Sequence, residues 1–377
     1  MQTIKYIRSL NQLENMHEHE RRRLGPVTER FAFRANDYYL SLIDWSDPDD
    51  PIRRLIVPNH GELNPWGRLD ASNESAYTQA PGQEHKYQFT ALLLVNDVCG
   101  GVCRFCFRKR LFMDHNDEVV RDVRPALDYI RAHTEINNVL LTGGDPLLLS
   151  TRRLESIVAQ LREMPHVQII RIGTKMPAFN PYRILDDPAL LQMIDRYATP
   201  ERKIYAIVQF NHPRELTPQA IEALDRLQRA GAVTVNQTPL LQGINDDPAV
   251  LGELFNQLSY IGVPPYYVFQ CRPVIGNRMF ALPVEEGYEI FEQARMQGSG
   301  LAKRARFVMS HASGKIEVLG KTRHLIFFKF HRSADPDHKA TTMVYRTQPD
   351  AYWFDDYTDK IDEYQIENPF YSEETLA

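Results

Sequence analysis

Residues 96–110 read NDVCGGVCRFCFRKR and hold three of the chain's four cysteines. Cys99, Cys103 and Cys106 are spaced as C-x3-C-x2-C. Cysteine thiolates hold iron–sulfur clusters, usually in fours, so three thiolates would leave one iron of a four-iron cluster open to another ligand. A zinc site would need a closed set of four ligands, and the remaining cysteine, Cys271, is isolated in the sequence. The stretch therefore predicts a cluster in which one iron is open to an exogenous ligand.

The composition is that of an ordinary globular protein. Of 377 residues, 43% are hydrophobic and 25% are charged, with a net charge of −5. This balance predicts no nucleic-acid surface, which would need a clustered basic excess, and the run Arg21-Arg22-Arg23 is interpreted as a solvated helix face. No apolar stretch reaches membrane-spanning length, and the amino terminus has no signal-peptide pattern. We expect a cytoplasmic protein with reduced thiols and no membrane partner.

On both sides of the cysteine stretch, apolar segments rich in branched residues alternate with segments of helical period. The alternation predicts an α/β fold with a parallel sheet, as a partial (βα)6-type barrel. The expected strands are 91–95, 138–142, 167–172, 204–210, 233–237 and 266–270, followed by 306–309. The expected helices are 123–132, 153–164, 189–197, 218–230 and 249–261.

Three parts are expected along the chain. Residues 1–85 would form a helical and irregular extension, 86–325 the barrel, and 326–377 a carboxyl-terminal segment that wraps the barrel, loop-like from about residue 330. In such barrels functional groups collect at the carboxyl ends of strands. The cysteine stretch follows the first expected strand directly, which places it at that end.

A second motif, Gly143-Gly144-Asp145, ends the next expected strand. Paired glycines let backbone groups approach a ligand more closely than residues with side chains can. A Gly-Gly-Asp-Pro segment by itself would indicate only a turn. Its position one βα unit after the cysteines favours a ligand-binding role.

Several motifs in order resemble the lysine 2,3-aminomutase family of the radical S-adenosylmethionine (SAM) superfamily. The resemblance covers roughly residues 35–320 and includes Phe105 just before the third cysteine. Its motifs are PIRR at 51–54, HKY at 85–87, the cysteine stretch, 154–173, FNHP at 210–213, NQ at 236–237, GIND at 243–246 and PYYVFQC at 265–271.

The resemblance implies a 4Fe–4S cluster on the three cysteines, SAM on its open iron, and pyridoxal 5′-phosphate (PLP). Lys315, in SHASGK at 310–315, would form the Schiff base with PLP. Lys86 matches one of the two cations that hold the PLP phosphate, but the second position is Thr90, and Gln209 stands where the family has a histidine. The other implied cofactor-binding residues are Phe105, Gly143, Gly144, Asp145 and Gln237.

Substrate recognition is where the sequence departs most from the family pattern. Arg108 matches the arginine that binds the α-carboxylate, and it could equally shield the cluster. Arg272 and Ser310 stand where the lysine enzymes have two aspartates for the ε-ammonium. An arginine there favours an acidic, glutamate-like substrate over lysine, unless Arg272 turns away into a local ion pair.

The implied activity is a 2,3-aminomutase, an isomerase in which a SAM-derived radical abstracts a β-hydrogen and the α-amino group moves to the β-carbon. The alternatives are lysine 2,3-aminomutase proper, a PLP-independent radical SAM enzyme, an enzyme that modifies a lysine of a protein partner, and a cluster without catalysis. We expect a flavodoxin- or ferredoxin-type reductant and a possible homo-oligomer. The chain lacks the family's cysteine-rich tail, so no zinc is expected.

Overall fold

A computed structural model describes residues 3–113, 118–119, 121–338 and 340–366. The strands in these ranges are β1 (Tyr6–Ile7), β2 (Ala35–Asn36), β3 (Thr78–Ala80), β4 (Gln83–Tyr87), β5 (Thr90–Asn96), β6 (Asn138–Gly143), β7 (Ile169–Thr174), β8 (Ile204–Val208), β9 (Val233–Pro239), β10 (Pro265–Phe269), β11 (Arg306–His311), β12 (Gly314–Lys321), β13 (Leu325–Ser333), β14 (Thr342–Arg346) and β15 (Lys360–Tyr364).

Helices cover the outer face of the sheet and extend into the amino-terminal part. They are α1 (Glu18–Arg30), α2 (Asp37–Leu40), α3 (Pro51–Ile56), α4 (Arg124–Ala132), α5 (Thr151–Arg162), α6 (Met176–Phe179), α7 (Tyr182–Leu185), α8 (Pro188–Tyr197), α9 (Pro218–Arg229), α10 (Pro248–Tyr260) and α11 (Val284–Met296). None of the helices in the described ranges has both the length and the hydropathy that crossing a bilayer requires.

The strands from β3 to β15 form one sheet in which spatial order follows chain order. Strands β5 to β11 run parallel, and helices connect each to the next. Antiparallel strands extend the sheet at both edges, with β3 and β4 on one side and β12 to β15 on the other. The expected partial barrel is confirmed, and each expected strand is present within two or three residues of its predicted bounds.

The helices begin where the sequence provides caps. The Thr217 side chain accepts a hydrogen bond from the Ala220 amide at 3.1 Å, and Pro218 starts α9, as helix-capping preferences predict. The buried positions of α9 recur at three- and four-residue spacing and pack against the sheet in the main core. The last crossover helix, α11, was not predicted, because Gly287 and the buried Glu285 interrupt its apolar face.

The loop-like prediction for the carboxyl-terminal segment is wrong. Strand β13 continues to Ser333, and β14 and β15 add two further antiparallel strands. All five residues of β15 are exposed, so no alternation of apolar and polar residues marks it as a strand. At the expected boundary between residues 85 and 86, β4 runs through both residues and pairs with β5, so the sheet is continuous there.

The barrel is open. Within the described ranges, no strand pairing joins β3–β5 to β11–β13; instead, side chains cross the gap between these edges. We call this group of contacts the seam. Its hydrogen bonds are Ser72 Oγ to the Ser310 carbonyl (2.9 Å), Tyr77 OH to the Ala312 carbonyl (2.8 Å), Lys86 Nζ to the His311 carbonyl (2.5 Å) and Arg332 Nη2 to Thr90 Oγ1 (2.8 Å).

Candidate active site

A cavity of about 350 Å³ opens at the carboxyl ends of the parallel strands, where such folds bind their ligands. The structure brings every predicted site residue into its lining, and the roles of these residues stay predictions. The lining includes Lys86, Cys99, Cys103, Phe105, Cys106, Arg108, Gly143, Gly144, Asp145, Gln237, Arg272, Ser310 and Lys315.

The amino-terminal extension holds the cysteine loop in place. The Val102 amide donates to the Arg34 carbonyl at 2.8 Å, and the Arg104 amide donates to the Leu55 carbonyl at 2.9 Å. The Arg104 guanidinium is fully buried against the Glu62 carboxylate, with two hydrogen bonds of 2.7 and 2.9 Å. The extension is therefore part of the site's framework, because it fixes the backbone between the cysteines.

The three thiols are half-buried and line the cavity. Burial raises the pKa of all three, that of Cys103 to about 12. Cysteine thiolates are the ligands of iron–sulfur clusters, and bound iron deprotonates a coordinating thiol outright. The donor set, sulfur only and enclosed, fits such a cluster, although the described residues contain no His, Cys, Asp or Glu group arranged for a single metal ion.

The Gly143–Asp145 loop packs directly on the cysteine loop. The Gly144 amide donates to the Asn96 carbonyl, and the Asp145 amide donates to the Val98 carbonyl at 2.8 Å. A Cβ on Gly144 would lie 2.4 Å from the Val98 carbonyl oxygen. Glycine is thus required at this position by the close contact with the cysteine loop. The sequence predicts instead that the glycines let the backbone approach a ligand.

The Asp145 carboxylate is hydrogen-bonded to neighbouring groups of the protein. It accepts hydrogen bonds from Thr174 Oγ1 at 2.8 and 2.9 Å and from the Lys175 amide at 2.7 Å. Burial raises its pKa to about 6 despite these bonds. Asp145 therefore ties the end of β6 to the end of β7 and sets the shape of the loop beside the cysteines.

Lys315 is the first residue after the glycine that closes the β11–β12 hairpin, and its side chain turns inward. Its Nζ lies 3.8 Å from the centre of the Tyr267 ring and 5.1 Å from that of Phe269. Burial first, and then the charges of Arg332, Arg171, Arg272 and Lys86, hold the pKa of its amine well below 10.5. A neutral amine is the form that attacks a carbonyl carbon.

The cations around Lys315 include two that sequence reasoning missed. Arg332 on β13 donates to Thr90 Oγ1 and lies over the Tyr87 ring, 4.1 Å from its centre. Arg171 on β7 donates from Nε to Asn138 Oδ1 at 2.7 Å, and burial lowers its pKa to about 10. A charged residue inside the apolar strand β7 was a usable signal for Arg171, but Arg332 lies in no motif.

Arg108 and Arg272 differ in what occupies their guanidinium groups. Arg108 donates to both Glu74 oxygens, at 2.8 and 3.0 Å, and Arg110 also donates to Glu74, at 2.7 Å. Arg272 stacks over the Phe107 ring, 3.6 Å from its centre, and its buried Nη1 has no hydrogen-bond partner among the described residues. Among the described residues, Arg272 thus has no ion pair, whereas Arg108 has an internal carboxylate partner in Glu74.

Comparisons with known proteins agree with this geometry. The radical SAM superfamily matches residues 93–251. A "putative L-lysine 2,3-aminomutase" of Aquifex aeolicus (strain VF5) is 57% identical over 363 residues, which are 96% of this chain and 97% of the relative.

The chain belongs to the lysine 2,3-aminomutase family of radical SAM enzymes.

Other members of the family differ in the substrate that they are named for. The L-lysine 2,3-aminomutase of Clostridium subterminale is 41% identical, over 70% of this chain and 62% of the relative. The glutamate 2,3-aminomutase of Clostridioides difficile (strain 630) is 36% identical, over 78% and 69%. Membership makes the chain an isomerase-class enzyme that uses a 4Fe–4S cluster and SAM, in a family whose lysine enzymes also use PLP.

The cavity fits the charge of these groups. PLP brings a phosphate dianion, and an amino acid brings at least one carboxylate. The described lining has more basic than acidic residues, and within those described residues the buried Nη1 of Arg272 has no hydrogen-bond partner. Cys99, Cys103 and Cys106 would hold the cluster, the Gly143–Asp145 loop would border SAM, and Lys315 would hold PLP. Bound anions would relieve the mutual repulsion of the cations.

Proposed function

We propose that the chain is a PLP-dependent amino-acid 2,3-aminomutase whose substrate carries an acidic, glutamate-like side chain. The observation that carries this proposal is the buried Nη1 of Arg272, which has no hydrogen-bond partner in the part of the chain that the structure describes. A guanidinium without its hydrogen bonds is costly to bury, and a carboxylate can accept two parallel bonds from it.

The charges of the whole cavity support an acidic substrate. A lysine ε-ammonium placed near Arg272 would face like charge in a site with little water, and such a contact costs on the order of several kcal/mol. The ionisable residues of the lining are mostly basic: Lys86, Arg108, Arg171, Lys175, Arg272, Lys315 and Arg332, against the acidic Glu74, Glu84 and Asp145.

The buried carboxyl groups of Glu74 and Glu84, which line the cavity, favour lysine as a second candidate substrate. Both are buried, and burial, followed by the charge of Glu74, raises the pKa of Glu84 to about 7. Glu74, however, accepts hydrogen bonds from Arg108 and Arg110, so its charge is neutralised by two arginines. With a pKa of about 7, the Glu84 carboxyl is about half protonated at pH 7, so it attracts an ammonium group less than a fully ionised carboxylate would. We rank lysine second for these reasons.

The chain's own residues would divide the work as follows. When bound, the cluster and SAM supply a carbon-centred radical, and PLP carries the migrating amino group. Lys315 would offer its amine in the neutral form, and the rings of Tyr267 and Phe269 would exclude water from it. Arg272 would bind the side-chain carboxylate and Arg108 the α-carboxylate, the latter in competition with Glu74. A flavodoxin- or ferredoxin-type reductant, a homo-oligomer and a cytoplasmic location remain proposals.

The test is anaerobic reconstitution with iron, sulfide and PLP, followed by SAM, dithionite and either L-glutamate or L-lysine. Products are identified as β-amino isomers by mass spectrometry and chiral chromatography. We expect β-glutamate and no β-lysine. Preferential formation of β-lysine would contradict the acidic substrate. SAM cleavage without any β-amino acid, and without borohydride fixation of PLP on Lys315, would overturn the aminomutase proposal.

An Arg272→Gln variant isolates the residue that carries the argument. We expect kcat/KM for glutamate to fall roughly 10- to 100-fold, the range that loss of a charged hydrogen-bonding partner produces, with cluster content unchanged. Arg229→Gln is the matched control, because Arg229 pairs with Asp225 on the exposed face of α9, with 79% of its side chain accessible. An equal effect of the two substitutions would rule out the role of Arg272.

A further inference from the structure

Arg332 and Lys315 are direct neighbours across two strands. They are register partners in the β12–β13 pairing, and both side chains line the cavity. Side chains of directly opposed residues on antiparallel strands leave the same face, with Cβ atoms about 5 Å apart. The geometry thus fixes a guanidinium next to the amine predicted to form the Schiff base.

Arg332 also reaches Thr90, the position at which the resemblance implies a second cation for the PLP phosphate. Its Nη2 donates to Thr90 Oγ1 at 2.8 Å across the seam. A guanidinium has five N–H donors, and no carboxylate pairs with Arg332 among the described residues. Thr90 and Tyr87 therefore position the Arg332 guanidinium, and its remaining N–H groups can donate to an anion.

Lys86 completes the cationic arrangement. Its Nζ donates to the His311 carbonyl at 2.5 Å, beside the hairpin that bears Lys315. Burial, followed by the charge of Arg272, lowers its pKa to about 8. Two cations from opposite sides of the seam, Lys86 on β4 and Arg332 on β13, thus line the same cavity as Lys315.

The chemistry of PLP matches this spacing. Its aldehyde and its phosphate-bearing methylene are substituents of adjacent ring carbons, so the lysine that holds the aldehyde and the cations that hold the phosphate must be close neighbours. A planar guanidinium suits a phosphate because it can donate two parallel hydrogen bonds. We infer that Arg332, together with Lys86, binds the phosphate of PLP, and that Arg332 supplies from the carboxyl-terminal strands the charge that residue 90 lacks.

This inference rests on the proposed use of PLP and assigns a role to a segment outside the superfamily match at residues 93–251. The alternative of a PLP-independent enzyme rests on two features, the missing charge at Thr90 and the glycine-poor turn before Lys315. The inference addresses the first of them. With Arg332 at Thr90, the site has the charge that a phosphate requires.

The test compares PLP with pyridoxal, which has the aldehyde and lacks the phosphate. Both are titrated into the cluster-loaded full chain, with the absorbance band of the Schiff base as the readout. Borohydride fixation and peptide mass spectrometry then confirm attachment at Lys315. For Arg332→Gln we expect the Kd for PLP to rise about 10- to 100-fold, while the Kd for pyridoxal changes less than about twofold.

Two further variants separate a phosphate contact from a folding defect. Arg323→Gln, in the exposed turn between β12 and β13, should leave both affinities unchanged. Thr90→Lys combined with Arg332→Gln should restore part of the preference for PLP over pyridoxal. Equal weakening of PLP and pyridoxal by Arg332→Gln, or no effect on either, would overturn the inference. Failure of the unaltered chain to bind either compound would instead overturn the proposed use of PLP and the inference with it.

Discussion

At the scale of single residues, Lys315 leads to a prediction about pH. Its folded-state pKa is lowered by burial and by four nearby cations. The reactive neutral amine therefore still predominates at pH values below 10.5, and it becomes protonated only when the pH falls to the lowered pKa. We expect PLP to be fixed on Lys315 at neutral pH.

Exposed Lys360 is the reference, because its hydrogen bond to Glu363 raises its pKa. It should be fixed by PLP only at more alkaline pH than Lys315. The measurement is borohydride trapping over a pH series, with peptide mass spectrometry for each lysine. Parallel pH profiles at the two lysines would contradict the lowered pKa.

Glu62 gives a prediction about stability. Its carboxylate and the Arg104 guanidinium are both 1% exposed, and removing one partner of a buried ion pair costs about 3–5 kcal/mol because the other charge is left unpaired. We expect Glu62→Gln to lower the free energy of unfolding by an amount of this order and to reduce iron incorporation. Denaturant titration and iron analysis measure the two effects.

Glu18→Gln is the control for Glu62, because Glu18 and Arg22 form an exposed pair on α1 with 77% and 73% of their side chains accessible. Exposed pairs contribute about 0–1 kcal/mol. An equal loss of stability in both variants would argue against the buried pair as the anchor of the cysteine loop.

At the scale of elements, the loop after β6 is fixed by backbone contact. A Cβ on Gly144 would lie 2.4 Å from the Val98 carbonyl oxygen, whereas a Cβ on Gly25 of α1 would meet nothing within 4 Å. We expect Gly144→Ala to destabilise the fold by roughly 1–3 kcal/mol and to weaken SAM binding. Gly25→Ala should be neutral or stabilise by up to about 1 kcal/mol. Denaturant titration and SAM binding to the cluster-loaded chain measure both, and unchanged SAM affinity in Gly144→Ala would contradict the contact's role.

The elements that could be predicted are those whose own sequence carries the pattern. Strands β5 to β11 are short apolar runs, and α9 and α10 have a capping residue followed by proline. Strand β15 could not be found this way, because its pairing with β14 supplies its stability and none of its residues is buried. The cysteines, Lys315 and Arg272 could be proposed as site residues because they lie in motifs. The place of Arg332 in the site depends on its contact with Thr90, 242 positions away in the sequence, and only tertiary folding creates that contact.

At the scale of the whole molecule, PLP at the proposed site would link the two sides of the seam. Lys86 comes from one side, and Lys315 and Arg332 come from the other. A ligand that binds only the folded state stabilises it by about 2.7 kcal/mol at 100 times its Kd. We expect PLP to slow hydrogen exchange in β4 and in β12–β13 together, while the amides of α1 stay unchanged. Protection confined to β12–β13 would show that the two edges are not coupled.

The seam has a consequence for how the enzyme matures during synthesis. Arg34, Leu55, Glu62 and the three cysteines all precede residue 110, so the ribosome delivers this loop and its anchors before the later strands. The proposed pyridoxal site includes Lys315 and Arg332 and would be complete only after both residues have emerged. Synthesis from the amino terminus would therefore set an order of assembly, in which the cysteine loop is available first and the pyridoxal cofactor binds last.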